Sequence, residues 1–441
     1  MHSEVESYDQ DSRVTVNDLE AARPATGLFA DKDWLYSPSP FLISPKWAKQ
    51  LERLGHQLLV FQAACNDLYY LSVRGKQPSW IAEYLDAGKP PELIEYSRSK
   101  FLRMEVPRVI RPDILLTPEG MALSELDSVP GGIGLAGWLG ETYSQFGYDI
   151  LGGPHGMLQG FQTIHPGGQI LVSDEAGTYR PEMAWVANRL NEQNPQTKWS
   201  VENPDEISSF TPEVYRFFEL FDLPNISSIS SLLKAEQEGN VHITPPIKPF
   251  MEEKMWFGLF WLRPLREYWR RALGSRYFSD LQKVIPYTWI LDPTPLPHHG
   301  VIPELNIQRW EELEEFSQKE RQFILKVSGF SELAWGSRSV VVGHDVPAPD
   351  WKQNLQKAFE DFSHGPWILQ KFHNTAIFSH PYFDTDNHVV QMDGRIRFCP
   401  YYFVDGKKAH LSGALVTICP ADKKIIHGMK DAILVPAAVK I

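Results

Sequence analysis

The longest helical signal in the chain opens at Ser44-Pro45, after which apolar residues recur at spacings of three and four: Trp47, Leu51, Leu54, Leu58 and Leu59. Ser44 supplies a capping hydroxyl, and Pro45 suits the first helical position, where an N–H has no intrahelical acceptor. Helical spacing continues through 80–85 and 91–102, so the first hundred residues read as mainly helical behind a polar, loosely ordered stretch over 1–25. The period then drops to two. Residues 109–116 and 121–126 predict a strand–turn–strand, and Pro130-Gly131-Gly132-Ile133-Gly134 leads into a helix over 135–146. A strand over 169–172 ends at Asp174-Glu175, and Thr178 stands where it can cap a helix over 180–191; this β-loop-α unit predicts a small parallel α/β layer. Residues 195–250 are broken by proline and serine, with one amphipathic helix expected around 214–221. Beyond them come a helix over 254–273 interrupted by Pro264, strands over 323–327, 340–343 and 367–372, and a helix over 351–362. A final hairpin, 395–404 with 409–419, turns around Asp405-Gly406. The class is mixed, α+β with an α/β layer, without internal repeats.

Composition narrows what such a chain does. At 441 residues and 43% hydrophobic, it is too apolar for disorder and long enough for two or three packed units. Its apolar run at 256–262 is far shorter than the roughly 20 residues of a membrane helix. Forty-three Lys+Arg against 55 Asp+Glu leave a net charge of −12, which argues against duplex nucleic acid as the main partner and leaves only a local basic groove open. Three cysteines, Cys65, Cys399 and Cys419, lack metal-ligand spacing and point to a reduced compartment. The N-terminus, Met1-His2-Ser3-Glu4, is unlike a signal or transit peptide, so a cytoplasmic protein is expected.

The segment 111–127 concentrates the chemistry. Pro118 fits the first corner of a turn and Gly120 the residue that closes a three-residue loop, Pro118-Glu119-Gly120. That loop sets Asp113 opposite Glu125 and Arg111 opposite Asp127, with all four side chains on one face; a two-residue loop would turn Glu125 away. Three acids so close need a cation, and hard oxygens without His or Cys fit Mg²⁺ or Mn²⁺. The bland alternative is a solvated acidic face.

Four motifs occur in order. Arg111-Pro112-Asp113 is followed twelve residues beyond the Asp by Glu125-Leu126-Asp127. Lys254 precedes an apolar run ending in Trp261. Lys326 interrupts the apolar strand 323–327, ahead of Gly329 and the loop to Gly336 and Ser337. The apolar stretch from Trp367 ends in Gln370-Lys371. Together they resemble the ATP-grasp ligases, in the circularly permuted branch typified by glutathionylspermidine synthetase. The resemblance covers about residues 106–441. It implies a permuted ATP-grasp fold divided as a helical region (1–105), a metal-binding hairpin with its glycine turn (106–135), a small α/β domain (136–250) and a nucleotide-binding domain (251–441).

By resemblance, Asp113, Glu125 and Asp127 hold Mg²⁺, with Asp127 replacing the family's Asn, and Arg111 contacts phosphate. Lys254 and Lys326 meet the ATP phosphates, the loop with Gly329, Gly336 and Ser337 covers them, and Gln370 and Lys371 lie at the adenine hinge. The family's arginine near the final hairpin has no counterpart around 414–418, and Arg395 and Arg397 are the nearest substitutes. The bare amides of Ser128, Gly131 and Gly132 before a helix suit a carboxylate or phosphate, and so an acid substrate. The implied reaction joins a carboxylate to an amine of an amino acid, peptide or polyamine through an acyl phosphate, at the expense of ATP. It needs no protein nucleophile, and Ser128, Ser337 and Cys399 have no visible His/Asp arrangement; His298-His299 sit in a proline-rich loop. The alternative is an ATP-grasp-like module that binds nucleotide without ligating. No nucleic acid or membrane is implied, and an oligomer is left open.

Overall fold

The computed structural model describes residues 8, 9, 11, 12, 14–24, 33–196, 198–334, 338–426 and 430–440. Two units divide the chain: Met1–Val60, Pro107–Pro246 and Asn374–Ile441 form one, Phe61–Val106 and Ile247–His373 the other.

The first unit is built on an eight-stranded mixed sheet. Its main path runs Phe41–Ile43, Ile433–Val439, Lys408–Pro420, Val389–Asp405, Val109–Thr117, Gly120–Asp127. The expected long hairpin is present, turning at Gly406 with φ 58°. Side chains alternate across Val389–Asp405. Phe398 and Tyr402 meet the helix that opens at Pro45: the Trp47 and Phe398 rings lie 4.8 Å apart, and the Tyr402 hydroxyl donates to the Leu51 carbonyl at 2.7 Å. A Cβ on Gly55 would come within 2.3 Å of the Tyr402 ring, so only glycine permits this approach. Ser44 Oγ accepts the Trp47 N–H at 3.1 Å, as the helix-start signal predicts. The opposite face of the strand presents Arg397, Cys399 and Tyr401.

Three expectations for this unit are corrected. Part of the stretch over 1–25 is ordered: Val16–Ala22 is a helix closed by a reciprocal Thr15–Asp18 capping box, with Leu19 buried. The segment expected as a helix around 214–221 is a strand, Glu213–Phe217, followed by a 3₁₀ turn, Leu220–Asn225. It lies inside a four-stranded parallel sheet ordered Trp199–Glu202, Gly168–Val172, Glu213–Phe217, His242–Thr244. Four of its five residues are buried, the charged Arg216 among them, so no alternation of apolar and polar positions marks it as a strand. Thr178 does not cap the following helix, Arg180–Gln193; it sits within a 3₁₀ turn, Gly177–Tyr179, and Tyr179 precedes the helix without a side-chain cap.

The second unit holds an antiparallel sheet ordered Val341–Val342, Phe323–Val327, Trp367–Lys371, Thr288–Ile290. Phe323, Leu325, Val327, Trp367 and Leu369 face one core with Trp289, Trp351 and Leu355. The expected interrupted helix is Met255–Trp261 and the first part of Arg266–Val284, joined by a 3₁₀ turn containing Pro264; Gly274, at φ 73° and ψ 153°, breaks the second stretch just past the expected end. Among the described residues no helix is long and apolar enough to cross a membrane.

Lys248 is fully buried here, its Nζ donating to Asn66 Oδ1 at 2.8 Å and to the Glu105 carbonyl at 2.7 Å. Desolvation outweighs the attraction of Glu105 and Asp67 and pushes its ammonium down to about 7. The unfolded chain keeps that proton to roughly pH 10.4. Between these limits the unfolded state binds more protons, so stability rises with pH, by at most about 1.4 kcal/mol per pH unit. Urea midpoints of wild type against Lys248→Met, taken from pH 7 to 9.5, are expected to show this slope in the parent and a flatter one in the variant.

Candidate functional site

The acid hairpin reaches the expected pairing by another route. Thr117 pairs with Gly120, so the loop has two residues, and its Oγ1 accepts the Gly120 N–H at 3.1 Å. Gly120 is at positive φ, 151°, a conformation that favours glycine. A two-residue loop alone would split the acids between faces. The register slips once between Asp113 and Ile114, where Ser124 bulges and donates its hydroxyl to the Asp113 carbonyl at 3.1 Å. Past the bulge, Asp113 faces Glu125 and Arg111 faces Asp127, as the sequence predicts.

On its other side this strand pairs with Val389–Asp405, matching Ile110 to Tyr402 and Ile114 to Phe398. The same register sets Pro112 opposite Pro400, and neither ring has an N–H to give. Around that gap the side chains of Arg111, Asp113, Glu125, Asp127, Arg397, Cys399 and Tyr401 share one face. Arg111 bridges two of the acids, Nε to Asp113 Oδ1 and Nη2 to Asp127 Oδ2, each at 3.0 Å. Arg397 Nη1 reaches Asp113 Oδ2 at 3.2 Å, and the Cys399 thiol donates to Asp113 Oδ1 at 3.4 Å. Arg397 Nε and Thr417 Oγ1, from residues paired across the long hairpin, are buried without a protein hydrogen-bond partner. Arg395, the other candidate arginine, is turned to different work: it donates to the Ala421 carbonyl at 2.7 Å and to Thr375 at 2.9 Å.

The two bridged acids titrate in opposite directions. Burial would raise Asp113, but Arg111, Arg397 and the Cys399 thiol hold its carboxyl below the ordinary range. Asp127 lies above that range because burial, with a contribution from Glu125, outweighs Arg111. Burial and Asp113 push the Cys399 thiol up to about 12, so it is no thiolate nucleophile near neutral pH.

The glycine turn folds against this face. Arg111 Nη1 and the Tyr401 hydroxyl both donate to the Gly131 carbonyl, at 3.2 and 2.7 Å, and Ser128 is buried. Gly132, at φ 89°, starts the helix Ile133–Ser144, and a Cβ there would come within 2.4 Å of the Tyr401 hydroxyl. The turn already receives one carboxylate from the protein: Gly134 N–H donates to buried Glu182 at 3.1 Å.

In the second unit, Lys326 and Gln370 share the sheet face away from the Leu325–Leu369 core, and Lys326 Nζ donates to Gln370 Oε1 at 3.2 Å. Gln370 in turn donates to Thr288 Oγ1 at 3.3 Å. Lys371 is exposed at the strand end on the other face, its backbone N–H bonded to the Tyr287 carbonyl. Lys254 donates from Nζ to the Ala334 carbonyl at 3.0 Å and from its backbone to the Ser328 carbonyl at 2.8 Å. Gly336 and Ser337 lie outside the described residues. Gly329 packs on the Glu253 carboxylate, which a Cβ would approach to 2.9 Å. Sequence reading missed what holds this region: Glu253 pairs with Lys89 at 2.5 Å, both side chains 1% exposed, and accepts the Ser328 hydroxyl. The two residues stand 164 positions apart, and neither has a local signal.

Fold and site together define a mixed α/β protein with a large mixed sheet and an acid–arginine face upon it. No protein-family model matches the chain, and no curated protein matches it. Among solved structures, it is similar to a glutathione synthetase-like effector from Globodera pallida in the apo form, at 11% identity over 92% of this chain and 90% of that one, with a TM-score of 0.53. A protein named for gamma-glutamylcysteine synthetase, from Methylobacillus flagellatus KT, matches at 11% identity over 80% and 84% with a TM-score of 0.37. The first likeness shows the fold.

Proposed function

We propose that this chain is an ATP-dependent carboxylate–amine ligase of the circularly permuted ATP-grasp type, forming an amide through an acyl phosphate and releasing ADP and phosphate. One observation carries it: three acids and two arginines meet on a largely buried sheet face, beside two polar atoms, Arg397 Nε and Thr417 Oγ1, that the protein leaves unsatisfied. Buried polar groups without partners are rare, and these suit a phosphoryl oxygen or a metal-bound water. The fold shared with a glutathione synthetase-like effector supports the same reading.

The donor set fits Mg²⁺ or Mn²⁺. Glu125 and Asp127 offer hard oxygens; burial sets the Asp127 carboxyl above its ordinary range, and a nearby cation favours its ionised form. Asp113, fixed by both arginines, completes the oxygen set and orients Arg397. Bound metal would neutralise phosphate charge during transfer. Arg111 exchanges a carboxylate for a phosphate oxygen, and Arg397 steadies the transferring group; Arg395, held by the Ala421 carbonyl and by Thr375, stiffens the strand. Lys254 and Lys326 take the nucleotide phosphates, the loop of Gly329, Gly336 and Ser337 covers them, and Gln370 and Lys371 form the adenine hinge. Ser128, Gly131 and Gly132 position the acid substrate, and the amine comes from an amino acid, peptide or polyamine. Positioning and electrostatics supply the acceleration, with no covalent protein intermediate.

A second reading, nucleotide binding without ligation, has its own observation: Arg111 already occupies Asp113 and Asp127. Calorimetry tests the shared premise. ATP is expected to bind with Mg²⁺ and to lose most of its affinity in EDTA, and Lys326→Ala is expected to weaken binding about ten- to a hundredfold, the worth of one charge-assisted contact. Binding indifferent to metal and to Lys326 overturns both readings. Steady ADP release with pooled acids and amines selects the ligase.

A further inference from the structure

Far from the acid hairpin in sequence, the small parallel sheet gathers three side chains at the starting ends of its strands. Glu213 and His242 are the first residues of adjacent parallel strands and pair with each other in register. His165 ends the helix Gly156–Ile164, three residues ahead of the neighbouring strand, Gly168–Val172. Glu213 Oε2 lies 2.7 Å from His165 Nδ1 and 3.4 Å from His242 Nδ1. The two rings stand edge to face, 5.2 Å between centroids. Among the described residues, this is the one group of three His, Cys, Asp or Glu side chains with ligand atoms all within 4.8 Å of one another; the acid trio is not such a group.

We infer that His165, Glu213 and His242 form a zinc site. Two imidazole nitrogens and one carboxylate oxygen are the ligands of a borderline ion such as Zn²⁺, whereas Mg²⁺ prefers oxygen alone. Zinc–ligand bonds of about 2.0–2.1 Å on a tetrahedron put neighbouring ligand atoms about 3.3–3.4 Å apart. The His242–Glu213 spacing already meets this, and the His165–Glu213 spacing meets it after opening by about 0.6 Å. Without metal, the carboxylate holds the two rings together. His165 is 4% exposed, while Glu213 and His242 are partly open to solvent, so water takes the fourth position.

The backbone around the ligands is pinned. His242 N–H donates to the Pro212 carbonyl at 2.7 Å, and Thr211 is held through both its N–H and its hydroxyl. A Cβ on Gly168 would come within 2.3 Å of the Glu213 carbonyl, so that strand start approaches closely only as glycine. Three segments separated by 48 and 29 residues would thus be joined at one point. Bound zinc would clasp the edge of the layer while keeping one position open to water, and the site is independent of the ligase reading.

The test uses the full-length chain and zinc alone. Equilibrium dialysis at micromolar free Zn²⁺ is expected to leave one zinc per chain, undisturbed by millimolar Mg²⁺, and to raise the melting temperature. His242→Gln and Glu213→Gln, both at partly exposed positions, should each weaken zinc binding at least about a hundredfold while melting like the chelator-treated parent. No bound zinc in the parent, or undiminished zinc in both variants, overturns the assignment. ATP turnover is not a readout, so this result and that of the ligase test stand apart.

Discussion

Glu125→Gln is expected to lower ADP formation by about three orders of magnitude and to leave the unfolding midpoint nearly unchanged. Loss of a group that stabilises transferring charge costs about 10²- to 10³-fold, and a metal-ligating carboxylate belongs at the upper end. Stability should not suffer, because Glu125 is only partly buried and its charge is one of the influences raising Asp127. Removing it relieves a repulsion. Asp113→Asn, one strand across, is expected to fail differently. It leaves Arg111 and Arg397 facing an amide in a buried setting and costs about 3–5 kcal/mol, as when one partner of a buried ion pair is deleted. Paired urea titrations and ADP-release assays separate the two: Glu125→Gln inactive and stable, Asp113→Asn inactive and unstable. An active Glu125→Gln protein removes the acid face from the reaction.

The second large effect belongs to the other unit. Lys89→Met should destabilise the protein by about 3–5 kcal/mol, since it strands the Glu253 carboxylate, 1% exposed, with the Ser328 hydroxyl as its remaining side-chain partner among the described residues. Glu253→Leu should cost a similar amount by stranding Lys89. The double variant should recover much of the loss, because neither charge is left behind. ATP affinity should fall in all three, as Ser328 also receives Met255 N–H and Lys254 N–H, and Gly329 rests on Glu253. Single variants that melt within 1 °C of the parent would show that the pair is not what holds the lysine-bearing segment.

How far the sequence disclosed this architecture depends on how local each signal is. The acid hairpin was legible because alternation over nine residues assigns faces, yet its route was not. Thr117 shortened the loop by one residue and Ser124 inserted one, so two unread irregularities cancel. The capping box at Thr15 and Asp18 has a local signal, Thr-x-x-Asp ahead of an apolar residue, but its helix is only seven residues long and buries a single leucine, too little for a helical period to show. The strand at Glu213–Phe217 was not readable by period, because it is covered on both faces. Contacts such as Arg397 with Asp113, Lys89 with Glu253, or His165 with His242 join residues far apart in the chain. Composition and spacing hold no record of them until the sheet order is known.

The prolines that face each other at 112 and 400 have a consequence of their own. Elsewhere a sheet heals its faults by exchanging hydrogen bonds between neighbouring chains. Here both edges lack the atom needed to do so, and the lack is written into covalent rings. No change of solvent, temperature or side-chain packing short of unfolding can knit that seam. The break in hydrogen bonding beneath Arg111 and Asp113 is therefore permanent in the folded chain, present before any ligand arrives and still there after it leaves.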